Sequence, residues 1–166
     1  GNLQLGVMTD TSRYSEKDFP NSKEDFIDFI RIACHPDRIR ETLEISKDLY
    51  DKGYKVFIQL MEINNVDEAG YLSLFEWKHK EILESLYFAD SYGVLHPSEI
   101  EHYYNKLAMI GFEKISFHAH NTIAMALPNS LKAIECGVWS VDVTQNGIGR
   151  NGGNLDSAEL FEHFVH

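Results

Sequence analysis

Six short apolar runs, each followed by a longer amphipathic stretch, constrain this chain more than any other feature. They cover residues 5–8, 29–33, 56–61, 85–89, 114–118 and 139–143. Runs this short that do not alternate with polar residues are strands covered on both faces, and crossover helices supply that cover. The pattern therefore predicts an α/β fold with a parallel sheet. An open doubly wound sheet and a closed barrel both satisfy it. A complete (βα)8 barrel takes about 250 residues, so 166 residues provide for six units and not eight.

The helix ends support this reading. Residues 37–52 place Ile39, Leu43 and Leu49 on one stripe and finish at Gly53, a C-terminal stop. Ser98 and Glu101 form a capping-box pattern that opens a helix with Ile100, Tyr104, Leu107 and Ile110 on one face and Gly111 at its end. A further helix ends near Cys136 and starts near Pro128, because a proline deeper inside it would remove a backbone donor. Residues 12–25 are polar and carry Pro20, which reads as a loop with a helix after Ser22. Residues 62–84 show no readable period.

Composition narrows the function classes. The chain is 43% hydrophobic and carries 15 Lys plus Arg against 26 Asp plus Glu, a net charge of −11. Clustered positive charge is what phosphate backbones and anionic membranes require, so neither nucleic acid nor membrane is an expected partner. Cys34 and Cys136 are far apart and form no metal or disulfide spacing, which fits a reducing compartment. No apolar run approaches the ~18 residues of a membrane span, and Gly1-Asn2-Leu3-Gln4 lacks the basic start of an export signal. The expected location is cytoplasmic.

Three stretches carry chemistry. The first is Phe117-His118-Ala119-His120-Asn121, which ends an apolar strand. Strand side chains alternate, so His118 and His120 share one face and can share one ion. Alternatively, one histidine sits in the core and the other at the strand end, each hydrogen-bonded. The carboxyl end of a parallel strand is where sites assemble in both architectures. The second stretch, residues 146–154, matches G-x-G-x-x-G from Gly147 to Gly152, but the chain ends before the second strand that a dinucleotide site needs. A surface loop and a glycine-rich loop over a barrel mouth remain open readings. The third is Asp90-Ser91-Tyr92-Gly93 at the end of a buried strand, where Asp90 either lines a site or accepts amide bonds in a turn.

These residues resemble the DRE-TIM metallolyases, metal-dependent aldolases, lyases and synthases built on a TIM (βα)8 barrel. His118-Ala119-His120-Asn121 resembles that family's HxHN motif, and the helix from Asn129-Ser130-Leu131 to Glu135-Cys136-Gly137 is similar to its NSLxAIEAG helix. Asp142-Val143-Thr144, Asn146-Gly147-Ile148-Gly149 and Gly152-Gly153-Asn154 resemble its last strand and the loop after it. Upstream, Arg31-Ile32-Ala33-Cys34-His35, Leu60-Met61 and Asp90-Ser91-Tyr92-Gly93 look most like the 4-hydroxy-2-oxovalerate aldolase branch.

The resemblance implies that residues 1–166 supply strands three to eight of the barrel, one partial catalytic domain without the first two βα units. The family's Arg-Asp pair on strand one has no counterpart here. The expectation is a piece of a longer protein, since an exposed first strand would carry an unpaired edge. The implied activity is divalent-metal-dependent cleavage of a 4-hydroxy-2-oxo acid to pyruvate and an aldehyde through a metal-stabilised enolate. Mn²⁺ or Mg²⁺ would be held by His118, His120 and Asn154, with the missing Asp. Asp90, Ser91 and Asn121 would line the substrate, and His35 and Tyr92 would serve catalysis at the barrel mouth. The implied partners are a small 2-oxo acid, further copies of the chain, and a dehydrogenase that consumes the aldehyde. A Claisen-type acyl-CoA synthase or lyase of the same family and an inactive scaffold are the alternatives.

Overall fold

The computed structural model describes residues 3–165. Gly1 and Asn2, part of the segment read for an export signal, lie outside the described residues, as does His166. All six expected strands form: β1 (Gly6–Asp10), β2 (Phe29–Cys34), β3 (Lys55–Leu60), β4 (Leu83–Asp90), β5 (Ile115–Ala119) and β6 (Ser140–Val141). They pair in parallel in the order β1-β2-β3-β4-β5-β6, so each strand neighbours the next in sequence. Sequential parallel strands joined by helices make an α/β fold that corresponds to part of a TIM barrel.

The helices are α1 (Ile39–Asp51), α2 (Glu68–Glu76), α3 (Pro97–Ile110), α4 (Ala126–Cys136) and α5 (Ser157–Val165). Residues expected to form a helix after Ser22 make only a single 3₁₀ turn at Ser22–Glu24. Two boundaries differ from the expectation. The α3 helix begins at Pro97, and Glu99 rather than Glu101 reaches back, its Oε2 accepting from the His96 N–H at 2.9 Å. A proline favours the first helical position, which moves the start ahead of Ser98. The α4 helix begins two residues before Pro128, within whose first turn the missing amide would have no partner in any case.

One hydrophobic core lies between the sheet and the helices. Ile30, Ile32, Val56, Ile58, Leu60, Leu86, Phe88, Ile115 and Phe117 project from the strands and are essentially inaccessible, packed against Leu43, Leu49, Ile100 and Leu107 of the helices. The alternate residues face the concave side, and they are layered along the strands. At the amino ends, Phe29 and Phe57 stack edge-on at 5.3 Å, and Trp139 lies 6.5 Å from Phe57. Above them is a polar layer: Tyr87 and Ser140 hydroxyls meet at 2.8 Å, Ser116 and Ser140 at 2.9 Å, and Ser85 and Ser116 at 2.6 Å. At the carboxyl ends stand the histidines. Half-buried and exposed aromatic rings thus line one end of the concave face, and the histidines stand at the other.

Candidate functional site

His118 sits on β5 opposite Ala89 of β4, and His120 follows immediately after the strand. Their rings lie 5.1 Å apart, which shows that strand alternation has placed both on one face. The hydrogen bonds fix the tautomers. His118 Nδ1 is 2.9 Å from Asp142 Oδ2, and His120 Nδ1 is 3.3 Å from the Arg150 carbonyl oxygen. A carboxylate and a carbonyl only accept, so in both rings Nδ1 is the donor and Nε2 is the nitrogen left for a ligand. Burial, and then the neighbouring His118, lower the His120 pKa and hold it neutral. Two imidazoles on one face, each oriented by a bond at Nδ1 and with Nε2 left for a ligand, are the donor arrangement of metal-binding histidines.

Asp142 is held from two sides. Arg31 of β2 grips its carboxylate with Nη1 at 2.5 Å and Nη2 at 3.2 Å, stacks at 4.0 Å over the Tyr87 ring and also donates to Gln59 Oε1 at 3.2 Å. Burial works to raise the Asp142 pKa, but the bonds from His118 and Arg31 and the charge of Arg31 overcome it and keep the carboxylate ionised. This Arg31–Asp142–His118 chain joins residues 111 positions apart and was not expected from the sequence as a unit.

The glycine-rich loop folds down onto the histidine end of β5. The Asn121 N–H donates to the Gly153 carbonyl at 2.9 Å, and His120 and Asn154 pair as an isolated antiparallel bridge. A Cβ on Gly152 would lie 2.5 Å from Thr122 Cα and 2.6 Å from the Asn121 carbonyl oxygen, so only glycine permits this approach. The segment after β6 makes a 3₁₀ turn and no helix starts at Gly152; α5 starts at Ser157. The dinucleotide reading fails for that reason, and the loop caps the site instead. Asn154 donates from Nδ2 to the Ile148 carbonyl at 3.1 Å, while its shielded Oδ1 has no partner among the described residues.

The other expected site residues divide into two groups. Asp90 is buried, and its carboxylate accepts from the Val94 and Leu95 amides at 3.1 Å each, which is the turn reading; desolvation raises its pKa despite those bonds. Asn121 Oδ1 accepts from the Ala126 N–H at 3.0 Å and so begins α4. Ser91, Tyr92 and His35 instead gather around Glu62, which the sequence did not single out. Ser91 Oγ accepts from the Glu62 N–H at 2.8 Å, and the Tyr92 hydroxyl donates to Glu62 Oε2 at 2.8 Å. Asn65 Nδ2 donates to the same oxygen at 2.9 Å, and His35 Nδ1 stands 3.8 Å from Oε1. The bonds from Tyr92 and Asn65 hold the Glu62 pKa below its ordinary value. Glu62 has left-handed backbone angles, φ 49° and ψ 51°, which no sequence signal marks in a glutamate.

Among the described residues, no three His, Cys, Asp or Glu side chains converge on one point. His118 and His120 could hold a metal ion only together with further ligands, for which the partnerless Asn154 Oδ1 is a candidate. Their chemistry fits a divalent ion of borderline or hard character.

Comparison with known proteins places the chain. The HMGL-like family profile matches residues 32–165. A probable 2-isopropylmalate synthase from Methanosarcina acetivorans is 31% identical over 121 residues, covering 73% of this chain and 24% of that protein. A 4-hydroxy-2-oxovalerate aldolase from Carboxydothermus hydrogenoformans is 26% identical over 162 residues, covering 96% of this chain and 47% of the relative. The chain spans less than half the length of either curated relative. In fold it is similar to the N-terminal domain of a putative aldolase from Bacteroides vulgatus, with a TM-score of 0.84 at 23% identity over 98% of this chain and 55% of the other. Synthase and aldolase relatives match at comparable identity, so the branch is not resolved by them. The match over residues 32–165, most of the chain, makes this protein a member of the HMGL-like family.

Proposed function

We propose that the whole protein is a divalent-metal-dependent carbon–carbon lyase that cleaves a 4-hydroxy-2-oxo acid to pyruvate and an aldehyde. The observation that carries this reading is the matched pair of imidazoles of His118 and His120, each tied at Nδ1 with Nε2 left for a ligand, at the carboxyl end of a parallel strand. Use of a divalent metal is typical of the HMGL-like family. His118 and His120 would hold the ion, Mn²⁺ or Mg²⁺, with Asn154 Oδ1 as a neutral ligand and a carboxylate from outside these residues completing the set. The ion's contribution is that of a Lewis acid that polarises the 2-oxo group and withdraws charge from it.

The chain's own residues do the rest. Asp142 and the Arg150 carbonyl lock the two imidazoles in place, so the ligand geometry is set before substrate arrives. The loop of residues 145–154 covers the histidines and limits water. His35, half-exposed beside Glu62, takes the proton from the 4-hydroxyl as the bond between carbons 3 and 4 breaks and releases the aldehyde, and that proton returns to carbon 3 of the enolate to give pyruvate. Tyr92, bound to the same carboxylate, relays protons at the rim. The substrate is a small 2-oxo acid, and a dehydrogenase that consumes the aldehyde and further copies of the chain are the partners this reading carries.

The resemblance to a 2-isopropylmalate synthase supports a second reading, a Claisen-type condensation. One experiment separates them. The Mn²⁺-loaded full gene product is given 4-hydroxy-2-oxovalerate, and pyruvate is followed by NADH oxidation with lactate dehydrogenase. A parallel reaction supplies acetyl-CoA and a 2-oxo acid and follows free thiol. Pyruvate release without thiol release supports the lyase, and the reverse supports the synthase.

A further inference from the structure

The α2 helix is apolar on two sides, and only one of them meets this chain's core. Tyr71 and Leu74 pack inward, while Leu72 and Phe75 are 50% and 58% exposed on the outer side. A helix apolar all round is ordinarily covered all round. The outer side continues across the neighbouring helix. Leu72 and Phe75 of α2, with Met109 and Ile110 of α3, line a cleft of about 560 Å³, and Met109 protrudes beside it, 86% exposed. Apolar side chains exposed singly need no explanation, but a contiguous set around a cleft marks an interaction surface.

Two charges frame the cleft. Glu68 opens α2 and Lys106 lies on α3. Among the described residues neither has an ion-pair partner, and the Lys106 ammonium sits 3.5 Å over the Tyr71 ring instead. The two helices connect successive parallel strands and so run in the same direction. A two-fold axis lying along the cleft, parallel to both helices, therefore sets α2 of one copy against α3 of another at the same level. That operation brings Leu72 and Phe75 onto Met109 and Ile110 of the second copy, and Glu68 towards its Lys106, each contact made twice. Closing a barrel would not cover this face. Closing strands join at the β1 and β6 edges, whereas α2 and α3 are the connections on either side of β4, in the middle of the sheet.

We infer that the α2–α3 face is an isologous interface between two copies of this chain, with Leu72, Phe75 and Met109 at its apolar centre and Glu68 and Lys106 as its reciprocal charge pairs. Self-complementarity is what selects a second copy as the occupant. An acidic partner would set like charge against Glu68, and a basic partner would do so against Lys106; only a surface carrying both signs in this arrangement satisfies both. The unbranched Met109 side chain adapts to the irregular cleft it would enter. The face lies on the outside of the helices, away from the concave side that carries His118 and His120, so association is read without reference to turnover.

The test is sedimentation equilibrium of the full gene product over a range of concentrations. Wild type is expected at an even multiple of the chain mass. Met109→Glu puts a carboxylate into the apolar centre twice and should weaken association at least about 100-fold, halving that mass. Glu68→Lys or Lys106→Glu alone sets like charges against each other at both pairs and should weaken association about tenfold. Mixing these two single variants restores both pairs, because a copy acidic at both positions then faces a copy basic at both, and the mixture should regain wild-type affinity. Recovery on mixing requires both variants to be folded, so it separates a lost contact from a lost fold. A monomeric wild type, which leaves the cleft to a different partner, overturns the assignment. So does a wild-type mass in Met109→Glu, or a mixture that associates no more tightly than its components.

Discussion

Replacing Asp142 by Asn tests whether one carboxylate organises the concave face. In the folded protein Asp142 neutralises Arg31 through two contacts, at 2.5 and 3.2 Å, and receives the His118 Nδ1 proton at 2.9 Å. The amide cannot neutralise the guanidinium, and with its oxygen in the Oδ2 position, where both His118 Nδ1 and Arg31 Nη1 bond, its nitrogen stands donor against donor with Arg31 Nη2. Removing one partner of a fully buried ion pair costs about 3–5 kcal/mol. Arg31 and Asp142 are 20% and 21% exposed, so water recovers part of that energy. The expected loss is about 2–3 kcal/mol. His118→Ala leaves the Arg31–Asp142 pair intact and should lose only about 1 kcal/mol. Urea unfolding of wild type and both variants, followed by circular dichroism, reads these values from midpoints at unchanged slope. A loss below about 0.5 kcal/mol in Asp142→Asn, or a larger loss in His118→Ala, would refute the reasoning.

Other perturbations probe separate parts of the structure. Gly93 has φ +66°, and a Cβ there would meet the Thr122 nitrogen at 2.7 Å, so Gly93→Ala should lower stability by about 2 kcal/mol or more; a neutral effect contradicts the packing of that turn. Burial pushes the Cys34 thiol up to about 12, so a thiol reagent at pH 8 should modify Cys136 and leave Cys34 untouched until the chain unfolds. Two reactive thiols in the native protein would contradict this. Burial works against the Asp48 carboxylate, but the Tyr14 hydroxyl and Lys52 overcome it and lower its pKa. A lowered folded value gives stability that is complete above the ordinary carboxylate pKa of about 4 and is lost as the pH falls through the folded value. Asp48→Asn should therefore lose less melting temperature than wild type between pH 6 and 3; equal losses dispose of the argument.

The strands were legible because residues such as Ile30, Ile32, Val56 and Ile58 must be apolar wherever helices cover a parallel sheet. The histidine pair was legible for the related reason that strand period fixes its common face. The α2 helix was not legible. Tyr71 and Leu74 are buried while Leu72 and Phe75 are exposed, so apolar side chains occupy both faces and no stripe survives. Its only signal was Asp67, whose carboxylate caps the helix by accepting from Gly70 at 2.8 Å. Glu62 escaped because positive φ is announced by glycine or asparagine, not glutamate. Arg31 and Asp142 were each noticed within a local segment, but the sequence offers nothing to pair residues on β2 and after β6. Asp90 shows the opposite limit. A carboxylate at a strand end reads equally as site or turn, and only the amides of Val94 and Leu95 decide it.

The central claim is that His118 and His120 present two Nε2 atoms to one divalent ion. It is tested most directly by Mn²⁺ titration of the full gene product, followed by the loss of the free ion's electron paramagnetic resonance signal, in wild type, His118→Ala and His120→Ala. The account predicts about one Mn²⁺ per chain in the wild type and an affinity at least about 100-fold weaker in either variant. Wild-type affinity retained in both variants would contradict it.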